Sequence, residues 1–148
     1  MSANINASTA AYGAGTAAGS NATLLLLARI CISALFLVAG TRKLLAYAAT
    51  VGYFAKLGFP APDAFAVIAI VIEIGAGLML LAGWRARWAA WALIVFVAVA
   101  TVMAHRFWQV DAAQYANQLN HFLKNIAVIG GLLYVVTFGP GRISVDKS

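Results

Sequence analysis

Apolar residues run along this chain in long blocks with short polar breaks between them. There are four such blocks, about Thr23–Leu45, Asp63–Ala82, Trp88–Trp108 and Asn120–Phe138. Each is close to the roughly 20 residues that cross a hydrocarbon core about 30 Å thick. With no water in that core, each segment must satisfy its own backbone groups, so every block predicts an α-helix. The pattern predicts an all-α fold, a four-helix transmembrane bundle. Between the second and third blocks, "GWRAR" reads as a tight hairpin, Gly83 ending one helix while Arg85 and Arg87 hold the turn in water. Between the first and second lies "AYAATVGYFAKLGFPAP", where Tyr47, Val51, Phe54 and Leu57 recur at helical spacing. That spacing predicts a short amphipathic helix lying in the interface. Gly58, Pro60 and Pro62 then stop it and start the second span. The connection after Trp108 has neither Gly nor Pro and is open to helix.

Composition supports lipid as the solvent. Of 148 residues, 64% are hydrophobic and 9% charged, too few charges to coat a soluble domain of one core. Residues 22–140 are expected to form the transmembrane domain, with residues 141–148 as a short C-terminal tail. The opening "MSANINASTAAYGAGTAAGS" is small, polar and uncharged, so residues 1–21 predict a disordered tail without the basic start of a secretory signal. The net charge of +6 comes from ten Lys and Arg against four Asp and Glu, standing singly or in pairs at block edges. There they anchor helices, and without a basic stripe nucleic acid is excluded as a partner. The single cysteine, Cys31, forms no intrachain disulfide and reads as a small core residue.

Parity gathers the polar chemistry. With four spans, the end of the first, both long connections and the start of the fourth share one membrane face. Lys43, His105, Arg106, Trp108, Gln118, His121, Lys124 and Asn125 are therefore spread over the sequence yet expected on one side, as candidates for binding a ligand or a quinone. Helical phase sharpens this. Arg29, Ser33, Phe36, Gly40, Lys43 and Tyr47 share an arc, as do Ala66, Ala69, Glu73 and Gly77. Thr101, His105 and Trp108 align in the third block, and Gln114, Gln118, His121 and Asn125 in the fourth if it extends backward. Glu73 sits mid-span, where a carboxylate requires a partner. Counting depth from the hairpin, the expected intramembrane ion pair is Arg29 with Glu73.

The two histidines admit three readings: boundary residues bonding headgroups and loop carbonyls, part of a small-molecule or quinone pocket, or metal or haem ligands. Their spacing matches no ligand motif, and no metal site is expected. A glycine-rich phosphate loop, a nucleophile elbow and paired carboxylates are all absent, which excludes hydrolase and kinase chemistry.

"LARICISALFLVAGTRKLL", "GYFAKLGFPAP", "IVIEIGAGLMLLAGWRARWAAW", "HRFW", "QLNHFLKNIAVIGGLLY" and "GPGRISVD" together resemble successive blocks of the DoxX family of small bacterial inner-membrane proteins. The resemblance runs from Leu24 to Asp146. It implies four transmembrane helices in a bacterial cytoplasmic membrane. It also implies a link to redox chemistry, because DoxD relatives are tied to a thiosulfate:quinone oxidoreductase and some DoxX proteins to membrane-attached oxidoreductase complexes handling oxidative and thiol stress. The resemblance points to Lys43, Glu73, His105, Arg106, Trp108, His121, Lys124 and Asn125 as characteristic positions, without assigning a role to any.

The expected function is an accessory membrane subunit of a quinone-linked or oxidative- and thiol-stress oxidoreductase system, with a polar pocket on the outer half of the bundle. No self-contained catalytic motif is present, and quinone is the one cofactor this reading raises. Two alternatives stand beside it: a non-enzymatic anchor or assembly protein docking a partner, and a small-solute transporter acting as a homo-oligomer. Both termini and the hairpin share a face carrying Arg85, Arg87, Arg142 and Lys147, against Arg42, Lys43, Lys56, Arg106 and Lys124 opposite. Charge count does not decide orientation, but Lys43 and Lys124 read as built into the bundle, which favours cytoplasmic termini.

Overall fold

The structure, a computed structural model, describes residues 3–146, with side chains from Ala22 onward. Residues 1, 2, 147 and 148 lie outside the described residues, among them Lys147 of the orientation count. The helices are α1 (Ala3–Leu45), α2 (Tyr47–Lys56), α3 (Pro62–Val71), α4 (Gly77–Ala82), α5 (Ala86–Ala104) and α6 (Ala112–Phe138). A π-helical turn, Ile72–Ala76, joins α3 to α4 in one span, and a 3₁₀ turn, Phe107–Gln109, follows α5. Four stretches are long and apolar enough to cross a membrane: Ala22–Leu45, Pro62–Ala82, Ala86–Gln109 and Ala112–Phe138. The protein is an all-α, four-helix transmembrane bundle, with the short helix α2 between its first two spans.

Backbone from Ala3 through residue 21 is helical and continuous with the first span. Its many alanines favour helix, and extending an existing helix avoids the cost of nucleation. The fourth span starts at Ala112, with the Asp111 side chain accepting a hydrogen bond from the Gln114 backbone N–H at 3.0 Å as its cap. Cys31 is exposed on the outer face of α1 and is not a core residue.

Part of the buried core lies near the α4–α5 hairpin. Ala86, Ala89 and Ala90 of α5 are buried with Leu93, Leu80, Leu132 and Val135. Without a hydrophobic drive between helices in lipid, such small side chains allow the close approach that dispersion needs. Gly83 closes α4 in the left-handed region, φ 71°, a conformation that suits glycine alone at low cost. The segment after α6 folds back onto this turn. Val145 N–H donates to the Ala82 carbonyl at 3.0 Å, Asp146 N–H to the Gly83 carbonyl at 3.2 Å, and the Asp146 carboxylate accepts from Arg85 N–H. Arg85 takes a positive φ of 47° there.

At the other end α1 meets the π-helical turn through Gly40. A Cβ at Gly40 would lie 2.7 Å from Ile74 Cγ1 and 3.0 Å from Glu73 Cβ, so only glycine permits this approach. The Thr50 hydroxyl, donating toward the Lys43 and Ala46 carbonyls at 3.2 and 3.1 Å, ties α2 back to the end of α1. Gly40→Val is expected to push α1 off the π-helical turn and destabilise the bundle by about 1–3 kcal/mol. Thermal unfolding in detergent checks this, with Gly52→Ala, a glycine in open space, as the neutral comparison.

Candidate functional site

The arc read on α1 is the buried one: Arg29, Ser33, Phe36 and Gly40 all face inward. On the second span Ala66, Ala69, Glu73 and Gly77 are buried likewise. Glu73 is therefore inside the bundle, but its partner is not the one depth predicts. Lys43 Nζ donates to both carboxylate oxygens, at 2.7 Å to Oε1 and 2.8 Å to Oε2. This is the only salt bridge among the described residues. The expected Arg29–Glu73 pair does not form. Arg29 lies level with the hairpin, its Nη2 donating to the Ile143 carbonyl, and its Nη1 packed where a Cβ at Gly83 would stand. Glu73 is ten residues before that turn, about 15 Å along a helix rising 1.5 Å per residue. Depth on α1 was counted from a start at Thr23, whereas the helix begins at Ala3 and carries no mark of where the bilayer begins.

The third and fourth spans bring the histidines together. α5 ends at Ala104, and His105 takes the C-cap with φ −123°. Its Nδ1 lies 3.0 Å from Gln118 Oε1, and its ring stacks on His121 at a centroid distance of 5.0 Å. An amide oxygen only accepts, so Nδ1 carries the hydrogen and Nε2 is left as the acceptor of the neutral ring. About one turn deeper, Asn125 Nδ2 donates to Thr101 Oγ1 at 2.9 Å while that hydroxyl donates to the Val97 carbonyl at 2.6 Å. Thr101 sits on the predicted stripe but was not among the candidates. As a buried hydroxyl aligned with His105, it carried the signal that could have found it.

These groups edge a cavity of about 800 Å³, in the size range of ligand sites. Lys43, Glu73, His105, Lys124 and Asn125 line it together, so four of the eight binding candidates share its wall with the carboxylate. Gln118 and His121 stand behind His105 rather than on the wall. Arg106 and Trp108 are outside. Arg106 turns back to bond the Val102 carbonyl at 3.0 Å, and Trp108 is half exposed, its ring edge-on to Phe107 and Phe122. Helical phase fails for Trp108 because the backbone leaves α5 at His105.

The rest of the wall is apolar. Tyr53, Phe54, Phe59 and Phe65 form an aromatic run over the cavity, with successive ring centroids 6.1, 5.1 and 4.5 Å apart. Sequence reading leaves Phe54, Phe59 and Phe65 out of the site, since an apolar face looks the same whether it meets lipid or covers a cavity. Burial pushes the Tyr53 phenol above its ordinary pKa, so it stays a neutral hydrogen-bond donor. Along the spans Ile68, Trp91, Val95 and Val99 line the cavity and are also exposed, so it opens sideways toward the bilayer. The arrangement suits a molecule with a polar head and an apolar body.

The DoxX family profile matches residues 24–106. Inner membrane protein YphA of Escherichia coli is 33% identical over 124 residues, covering 84% of this chain and 89% of that protein. Inner membrane protein YqjF of the same organism is 34% identical over 122 residues, covering 82% and 88%. A Surfeit locus protein 4 homolog from Schizosaccharomyces pombe is 30% identical over 83 residues, covering 55% of this chain and 28% of that protein. No solved structure matches the chain.

Removing one member of the Lys43–Glu73 pair leaves a charge stranded among apolar groups. Lys43→Met is expected to cost about 3–5 kcal/mol, and the double variant Lys43→Met/Glu73→Leu distinctly less. Unfolding of both variants beside the wild type in one detergent checks the order; equal costs would mean that the pair contributes by packing alone.

Proposed function

We propose a function from one established premise: the chain belongs to the DoxX family and is an integral inner-membrane protein. We read it as an accessory membrane subunit of a quinone-linked or oxidative- and thiol-stress oxidoreductase system. The observation that carries this reading is the laterally open cavity with its polar groups gathered at one end. A quinone has a flat ring with two acceptor oxygens and a long apolar tail. Lys124 and Asn125 offer donors for such oxygens, Phe59 and Phe65 offer ring faces, and the tail passes out beside Ile68 and Val95 into lipid. When bound, the quinone would supply two-electron, two-proton redox chemistry. The chain's part is to hold the head in place, exclude water with the aromatic cover and exchange protons with solvent. His105, bonded to Gln118 and stacked on His121, is the imidazole placed for that exchange. With one cysteine, the chain has no dithiol of its own, so electrons come from a partner subunit. In this reading the termini are cytoplasmic and the polar end lies in the outer half of the membrane.

Arg106 and Trp108, outside the cavity on the α5–α6 connection, favour a second reading as an anchor that docks a partner protein there.

Gentle detergent extraction followed by mass spectrometry of co-purifying quinones and proteins separates the two. Near-stoichiometric quinone is expected with the wild type. Retention is expected to weaken about tenfold in Lys124→Ala and in His105→Ala, with membrane insertion unchanged. A stoichiometric protein partner without quinone would sink the pocket reading and leave the anchor.

A further inference from the structure

The polar end of the large cavity is set from behind its wall. Thr101 is buried and stands outside the lining, while Asn125 is part of it. The Thr101 hydroxyl has one hydrogen, and that hydrogen is committed to the Val97 carbonyl at 2.6 Å. Toward Asn125 the same oxygen can therefore only accept, so the amide must turn its Nδ2 there, at 2.9 Å. Asn125 Oδ1 is left without a hydrogen-bond partner among the described residues, and it is not sealed off from its surroundings. The second Nδ2 hydrogen stays free beside it.

His105 is oriented in the same manner. Its Nδ1–H is held by Gln118 Oε1 at 3.0 Å, and Gln118 is not part of the cavity wall. Nε2 of the neutral ring keeps its lone pair, again with no partner among the described residues. The Glu73 carboxylate on the same wall already has both oxygens bonded to Lys43. Two free, oriented acceptors thus stand beside the donors of Lys43, Lys124 and Asn125.

A quinone head brings acceptors only. Its carbonyls can take the donors, but Asn125 Oδ1 and His105 Nε2 then lose water and gain no hydrogen. A site with stranded acceptors rejects a head that lacks the matching hydroxyl. A quinol brings two hydroxyls, each able to donate to one acceptor and still accept from a lysine or the amide. We propose that the cavity binds the quinol form of its ligand in preference to the quinone, with Thr101 and Gln118 as positioning residues that decide which atoms of Asn125 and His105 meet the head. This preference rests on the quinone reading of the cavity and names the redox form it selects. Neither positioning residue lines the cavity, so each acts through its neighbour.

The test uses the full chain in detergent under argon, with decylbenzoquinone and decylhydroquinone titrated separately by calorimetry. The wild type is expected to bind the hydroquinone about tenfold more tightly. Thr101→Val keeps the side-chain shape and removes the acceptor that turns Asn125, and is expected to bring the two dissociation constants within about threefold. Thr101→Ser, which can make the same two bonds, is expected to restore the preference. Gln118→Leu frees the His105 tautomer at a half-buried position and is expected to narrow the preference likewise, even if Thr101→Val folds poorly. Thr137→Val removes an exposed α6 hydroxyl that bonds the carbonyl four residues back at 2.9 Å, and is expected to leave the ratio unchanged. Equal binding of the two forms by the wild type, or a preference unchanged in both Thr101→Val and Gln118→Leu, overturns the proposal and leaves the quinone reading standing. Binding of neither form removes that reading and the preference with it.

Discussion

A carboxylate in the hydrocarbon core costs a few kcal/mol unless a cation is held against it, and the position of Glu73 imposes that condition on the half of the bundle away from the hairpin. Lys43 meets it with two short hydrogen bonds. For the pair to form, α1 must come within van der Waals distance of the second span, which requires the missing side chain at Gly40. The π-helical turn at Ile72–Ala76 carries Glu73 at that contact; such turns commonly mark functional positions in helices. Because α1 ends just past Lys43, α2 must bring the chain back toward the start of α3, and its return lays Tyr53 and Phe54 over the cavity. The ion pair, the close approach and the aromatic cover thus follow from one buried charge.

Near the hairpin, alanines on α5 pack against Leu80 and Leu132, and the C-terminal segment bonds the backbone of the turn. Beside that core the large cavity runs along α5 from Trp88 to His105, edged by polar groups at one end and by apolar residues along its length. The histidine rings hold one another between the third and fourth spans: His105 is bonded to Gln118 and stacked on His121.

The spans, their order and their buried faces were legible because lipid allows so few backbone solutions. Any segment that crosses must be helical, and helical phase then assigns Ser33, Ala66 and Thr101 inward from local sequence alone. The gathering of His105, Gln118, His121 and Asn125 also followed, since an even number of spans returns the chain to the same face. What did not follow was depth and the shape of connections. Arg29 and Glu73 looked level, yet an apolar helix that continues beyond its span carries no ruler for how far it is pushed in. Trp108 looked aligned with His105 until the helix ended at Ala104.

The sequence by itself therefore determined the architecture, the solvent and the set of polar residues that share a face, because each depends on a period or a length. Only the tertiary structure decided which cation neutralises Glu73 and which aromatic rings cover the cavity. Those outcomes depend on how far one helix slides along another, a relation that packing at Gly40 and Gly83 fixes and that no local pattern encodes.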